Sequence, residues 1–406
     1  MNYTPAQQKK IEKNIWKYAG YLITNKRATA AILTIYYLTI PGVEAQHLGW
    51  ILLASSLASF LFEIPSGYLS DKIGHRNMLI VSKAFLVLSS TFFVFASNIW
   101  YLVAAGICLS VGFASSSGTG SAFMHDTLKA LGRDHEFSKI TGKAAALGFG
   151  IPLIFSATAP FLIEYSFKAP FVLSLCLDLL GLYFALSLRR IKHSKEHRQE
   201  VKETKFKDVL KEAKGLNYLS LATLSGFLSG ALIGYQTYRG PYQEFIGVDV
   251  MWLGVFFATG RIMASLMVAN SAKIKSYFNS IYSFELFQCC IYSIIFILLV
   301  LTDNITAIII LFIILNGIQW GLSQVGMHFT VDIIGKSKFK ATLLSLRGQV
   351  KEGSTAIIAL VLGYLVSTYS YHYAFIIFTV FFVITVTVLY LNVVREMKRG
   401  KLANEL

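Results

Sequence analysis

Apolar residues in this chain come in long runs separated by short polar turns. Runs long enough to cross roughly 30 Å of hydrocarbon as helices fall at about 18–40, 46–70, 77–97, 99–124, 140–163, 169–189, 217–240, 250–270, 280–301, 305–329, 343–367 and 371–393. They show no strict alternation of apolar and polar positions and are too long for the strands of an outer-membrane barrel. A bundle of helices satisfies every backbone hydrogen bond within its own segment, so it is the class that fits. The pattern predicts an all-α polytopic membrane protein with twelve transmembrane helices.

The longest polar stretch opens with Arg189-Arg190-Ile191-Lys192-His193-Ser194-Lys195-Glu196-His197-Arg198 and runs on to Lys214. It divides the chain into an N-terminal six-helix half, 1–189, a cytoplasmic linker, 190–216, and a C-terminal six-helix half, 217–406. Near its end Phe206, Val209, Leu210 and Ala213 recur at helical spacing. A short amphipathic helix on the inner membrane surface and a solvated linker both fit that spacing. The other loops are short, with no room for a soluble catalytic domain.

Composition sharpens this picture. The 406 residues are 55% hydrophobic and only 15% charged, and the mean hydropathy is +0.57, so a bilayer must solvate the chain. A net charge of +15 would suit a nucleic-acid binder, but its placement decides otherwise. With the N-terminus inside, the basic residues Lys9, Lys10, Lys13, Lys17, Lys72, Arg76, Lys129, Arg133, Lys139, Lys273, Lys275, Lys336, Lys338 and Lys340, the linker and the tail from Arg395 to Lys401 all fall on the cytoplasmic side. The opposite loops, around Pro41 to His47, Asn98, Asp303 and Ser370, carry almost none, Lys168 and Arg239 excepted. The expectation is a multi-pass inner-membrane protein, monomeric, lipid-embedded, with both termini cytoplasmic and no nucleic-acid partner.

The polar start, Met1 to Lys17, lacks the short apolar stretch and small-residue cleavage site of a secretory leader, so the first helix is read as the insertion signal. Cys108, Cys176, Cys289 and Cys290 lie inside apolar runs without metal-ligand spacing, which argues for packing rather than a metal or disulfide role. No cofactor is expected.

Between the second and third runs stands Gly67-Tyr68-Leu69-Ser70-Asp71-Lys72-Ile73-Gly74-His75-Arg76, preceded by Glu63 and Pro65. This stretch resembles the G-x-L-x-D-R/K-x-G-R-R/K loop of the major facilitator superfamily, and twelve spans in two halves around a basic linker agree with it. Gly118 to Lys129, Gly142-Lys143, Gly234 to Tyr238 and Lys340 to Leu346 are similar to a bacterial branch of that superfamily. His75 stands where the loop motif has arginine, span four has no internal arginine, and span five reads Gly148-Phe149-Gly150-Ile151-Pro152 rather than G-P-x-x-G-G. These departures set the chain apart from standard drug–proton antiporters.

The resemblance implies a gating role for Gly67, Asp71, Lys72, Gly74 and Arg76. Gly67 would let two helices approach closely, and Asp71 and Arg76 would join the cytoplasmic ends of the two halves in one transport state. Contacts made in one state bias the equilibrium by their differential energy, of order 1 to 3 kcal/mol.

Ionisable residues at membrane depth are the default functional candidates. Counting about 1.5 Å per residue along each helix puts Lys26 and Arg27 of span one, Lys351 and Glu352 of span eleven, Arg261 of span eight and Gln319 of span ten near the bilayer centre. By resemblance, these spans line the central cavity. The excess of positive charge favours an anionic substrate. Adjacent helical residues point about 100° apart, so one of Lys26 and Arg27 faces that cavity. Buried ion pairs, Arg261 with Glu352 or Lys351 with a carboxylate, are the open alternative, and Arg347, on the Lys351 face, can snorkel inward. Tyr235 and Gln236 at the outer end of span seven are further substrate candidates; an interfacial aromatic belt explains them equally. Proton coupling needs a group that titrates with the open side; Glu352, Glu63, Asp126 and Asp178 are available, with Lys83 or Lys143 as pairing partners for Glu63 and Asp126. The small-residue run Ser115 to Ser121 serves either a pathway or tight packing.

No phosphate-binding glycine loop, HExxH or serine elbow occurs, so neither ATP-driven pumping nor intramembrane catalysis is expected. The sequence points to a secondary transporter moving a small organic, anionic solute by alternating access, with protons as the candidate coupling ion. Efflux of amphipathic drugs is the first alternative. A non-transporting sensor or scaffold on the same fold is the second.

Overall fold

The computed structural model describes residues 4–191, 218–334 and 340–404, so most of the linker with its amphipathic segment, and Lys336 and Lys338, lie outside the described residues. The elements within them are all helices. Eleven are long and apolar enough to cross a membrane. The remaining crossing, span one, is made in two pieces. Contacts divide the chain into two compact units, one of residues 1–43, 54–201 and 250–255, the other of 44–53, 202–249 and 256–406.

In the first unit, α1 (Pro5–Glu12) opens on a capping box in which Thr4 and Gln7 satisfy each other's backbone donors. Span one follows as α2 (Asn14–Ile23) and α3 (Leu33–Leu38). The expected continuous helix breaks between them, and Lys26 and Arg27 lie in the break. Irregular backbone at membrane depth survives only where its polar groups find partners inside protein, and here they do. The Thr24 carbonyl accepts from Lys83 Nζ at 2.8 Å and the Arg27 carbonyl from Ser156 Oγ at 3.2 Å. Local turns return the amides of Asn25 and Ile32 to the carbonyls of Leu22 and Thr29.

Span two, α4 (Ala45–Ile73), runs through the motif that the sequence reads as a turn. Only Gly74 turns the chain, at φ +92°, a value glycine adopts without strain; α5 (His75–Val94) starts directly after it. Span four is two helices, α6 (Ile99–Ser116) and α7 (Thr119–Ala130), hinged at Gly118 with φ +72°. A Cβ at Gly120 would stand 2.2 Å from the Tyr18 hydroxyl, so this small-residue run packs tightly against α2. Spans five and six are α8 (Phe137–Thr158) and α9 (Ala169–Ser187). The core gathers Tyr18, Tyr21, Leu79, Phe123, Met124 and Leu188 from α2, α5, α7 and the end of α9.

Besides the start of α4, the second unit contains α10 (Tyr218–Gln236), α11 (Arg239–Phe245), α12 (Leu253–Ala269) from Phe256 onward, α13 (Ser271–Ser276), α14 (Ile281–Leu301), α15 (Ile305–Ile334), α16 (Lys340–Thr368) and α17 (Tyr371–Asn404). The closest pairing is α10 with α16, through Gly226, Gly230 and Gly234, one on each successive turn. Cβ atoms there would come within 2.8 Å of the Val350 side chain, 2.4 Å of the Lys351 carbonyl and 3.0 Å of the Ile358 side chain. Small residues at such spacing let transmembrane backbones touch.

Candidate functional site

Each unit holds its own buried charge cluster. In the first, the break in span one sets Arg27 against Asp178 of α9, where they form an ion pair. Ser90 of α5 joins both, donating to Asp178 Oδ2 at 2.6 Å and accepting from Arg27 Nη1 at 2.9 Å. Arg27 Nε and Nη2 are buried without a hydrogen-bond partner. Lys83, fully buried, lies 4.9 Å from the Tyr21 ring centroid as it donates to Thr24. Gly181 makes room for it: a Cβ there would stand 2.8 Å from Nζ. Two cations thus share this interior with the Asp178 carboxylate. Lys26 is exposed and holds its ammonium 4.4 Å from the Phe149 ring. Of the adjacent pair, the ion pair takes Arg27.

In the second unit, Arg261 of α12 stacks 4.0 Å from the Trp320 ring centroid and 4.8 Å from Phe257. Arg239, only 8% exposed, lies 5.3 Å from the same Phe257 ring centroid. Among the described residues, no carboxylate comes within 4 Å of either guanidinium. Aromatic faces attract guanidinium groups without neutralising them, so the positive charge stays available. Beside them Gln236 donates to Gln319, and Asn316, one turn from Trp320 on α15, keeps Oδ1 buried without a partner. Glu352 pairs with its neighbour Lys351 at 2.8 Å, not with Arg261. Tyr235 is fully buried in a box of Phe296, Phe312, Phe375 and Phe378, which packs it into the core of this unit.

The loop motif makes the following contacts within the first unit. Nothing would meet a Cβ at Gly67 within 4 Å, so no close approach requires this glycine here. Arg76 directs its donors into its own unit, Nε to the Leu188 carbonyl at 2.6 Å and Nη2 to the Leu186 carbonyl at 2.8 Å. Lys17 Nζ takes the Ser187 carbonyl at 2.5 Å, and Asn14 exchanges hydrogen bonds with Arg189. Together they cap the carbonyls that the last turn of α9 leaves open. Lys72 is exposed, and the Asp71 side chain lies outside the described residues. Asp126 sits 3.6 Å from His75 Nε2, and His75 Nδ1 is 2.9 Å from Ser70 Oγ. Glu63 is half-buried two residues before Pro65 and is also engaged.

The sequence left Ser90 and Glu285 unmarked, and gave Arg239 and Arg347 only passing roles. A lysine inside an apolar span, as Lys83 is in the run 77–97, was a signal in itself, since such a residue needs a partner at depth. The partner, a main-chain carbonyl exposed by a broken neighbouring helix, has no sequence signature.

Similarity to known proteins accords with this architecture. The family model described as Major Facilitator Superfamily matches residues 21–350. Two uncharacterized MFS-type transporters of Bacillus subtilis (strain 168) are relatives. YqjV is 31% identical over 140 residues, covering 32% of this chain and 33% of that one. YxaM is 22% identical over 249 residues, covering 59% and 61%. The chain therefore matches about a third and three-fifths of those relatives' lengths. Among solved structures, a point mutant of the nucleoside transporter NupG superposes with a TM-score of 0.79 at 11% identity, covering 95% of this chain and 99% of that one. A bacterial homolog of the human lysosomal transporter Spinster, inward-facing and unoccupied, superposes at 0.73 and 13% identity, covering 98% and 99%. With its all-helical twelve-span fold and a family match over most of its length, the chain belongs to the major facilitator superfamily of membrane transporters.

Proposed function

We propose that this protein is a secondary transporter that moves a small organic anion across a bacterial inner membrane by alternating access of the halves 1–189 and 217–406, coupled to protons. The observation that carries the anionic reading is the pair Arg239 and Arg261, set on Phe257 and Trp320 with no carboxylate within 4 Å among the described residues. An interior with uncompensated cations is costly unless a ligand supplies the counter-charge, and a carboxylate or phosphate oxygen does so with charge-assisted hydrogen bonds. Arg27 adds two buried unpartnered donors in the other unit. Gln236, Gln319 and Asn316 supply the polar contacts that fix orientation.

A thermal-shift screen of the purified protein against organic anions, cations and neutral solutes tests this, because a ligand that binds the native state raises its apparent stability. Anions should raise the melting temperature. Arg261→Gln should then weaken binding of the best anion at least about tenfold, roughly 1.4 kcal/mol. Stabilisation by cationic drugs alone would favour the efflux reading. Binding without flux in reconstituted vesicles would favour a sensor.

A further inference from the structure

The acidic groups considered so far largely have cations beside them: Asp178 has Arg27, Glu352 has Lys351 at 2.8 Å, and Asp126 has His75 at 3.6 Å. Glu285 differs. It stands roughly 6 Å into α14 at 1.5 Å per residue, is 2% exposed, and its hydrogen bond is to an amide, Gln288 Nε2 at 3.3 Å. No cation lies within 4 Å of it among the described residues. The charge that acts on it electrostatically is Arg347 of α16, whose field also reaches Tyr292 of α14 and Tyr218 of α10. Gly326 of α15 lies between the two: a Cβ there would stand 3.3 Å from the ring of Phe284, the residue next to Glu285, and 3.9 Å from Arg347 Nη2, which places that guanidinium close to this turn of α14.

The other titratable groups on α15 and α17 that have partners among the described residues meet residues other than Glu285, on α14 or beyond it. On α15, His328 meets Ser271 and Asp332 pairs with Lys275. On α17, Glu396 acts on Tyr282, and Tyr390 faces Cys289 and Cys290. Arg347 is therefore the partner positioned to change the state of Glu285.

We propose that Glu285 is the residue that binds and releases the coupling proton, with Arg347 as its switch. The proposal rests on the proton-coupled reading above and names the group that serves it. A proton from water on one side adds to a carboxylate oxygen of Glu285, giving the neutral acid that a dry site tolerates. When the cycle turns the Arg347 guanidinium onto the carboxyl, the proton leaves to water on the other side and an ion pair takes its place.

Infrared difference spectroscopy of the purified protein in lipid nanodiscs, stepped in pH, reads the carbonyl stretch of a protonated carboxyl without any substrate. The wild type should show such a band that disappears as pH rises, Glu285→Gln should lose it, and Glu352→Gln and Asp178→Asn should keep it. Glu285→Asp should shift its frequency, and Arg347→Gln should keep it up to higher pH. A band that survives Glu285→Gln and vanishes in Glu352→Gln or Asp178→Asn would overturn the assignment and leave proton coupling standing. A band indifferent to Glu285→Asp and Arg347→Gln would overturn it equally. A wild type with no titrating carboxyl band would overturn both.

Discussion

At the scale of single residues, the decisive quantity is whether a buried charge has its counter-charge. Arg27 and Asp178 are paired and share Ser90, so either one alone would be left as an uncompensated ion in the interior. Removing one partner of a buried pair costs about 3–5 kcal/mol, whereas removing both is often close to neutral. Arg27→Gln and Asp178→Asn should each lower the thermal stability of the purified protein sharply, and the double variant should recover much of the loss. A double variant as unstable as the sum of the singles would show that Lys83 or Ser90 holds the break independently. Arg239 and Arg261 obey the opposite logic: with aromatic faces in place of carboxylates, their substitution should change ligand binding more than folding.

At the scale of elements, backbone geometry rather than side-chain charge sets the behaviour. The α10–α16 pair depends on glycine, and at Gly230 the obstacle to a Cβ is main chain, the Lys351 carbonyl at 2.4 Å. Backbone cannot swing aside as a flexible side chain can. Gly230→Ala should therefore destabilise the fold by about 1–3 kcal/mol, the usual range for overpacking, read as a lower melting temperature in detergent, while Gly67→Ala, in open space, should leave it unchanged. Long apolar runs made the helices legible in the sequence. Their interruptions were not, because a break such as the one between α2 and α3 forms when neighbours, here Lys83 and Ser156, satisfy the exposed carbonyls. The same holds for α4: its charged residues suggested a loop, yet helix continues to Ile73 and a single glycine makes the turn.

At the scale of the whole molecule, twelve crossings and the bias of lysine and arginine toward alternate loops predict both termini on the cytoplasmic side. Fusing alkaline phosphatase, active only outside the cytoplasm, to either end should give inactive reporters, and a fluorescent protein at the same ends should glow; an active phosphatase at either terminus would refute this topology. Hydropathy and loop charge needed only local composition, since a bilayer selects for apolar length and basic inner loops segment by segment. Span number was legible for that reason, the family came from the motif between Gly67 and Arg76, and Arg27, Arg261 and Glu352 stood out as charges inside apolar runs. The partners of those charges were decided in three dimensions. Arg27 met a carboxylate 151 residues away, Arg261 met rings in place of Glu352, and Glu285 was left with an amide. Whether a charge is neutralised, stacked or left to take a proton depends on what the packed helices bring against it, and tertiary structure alone supplies that.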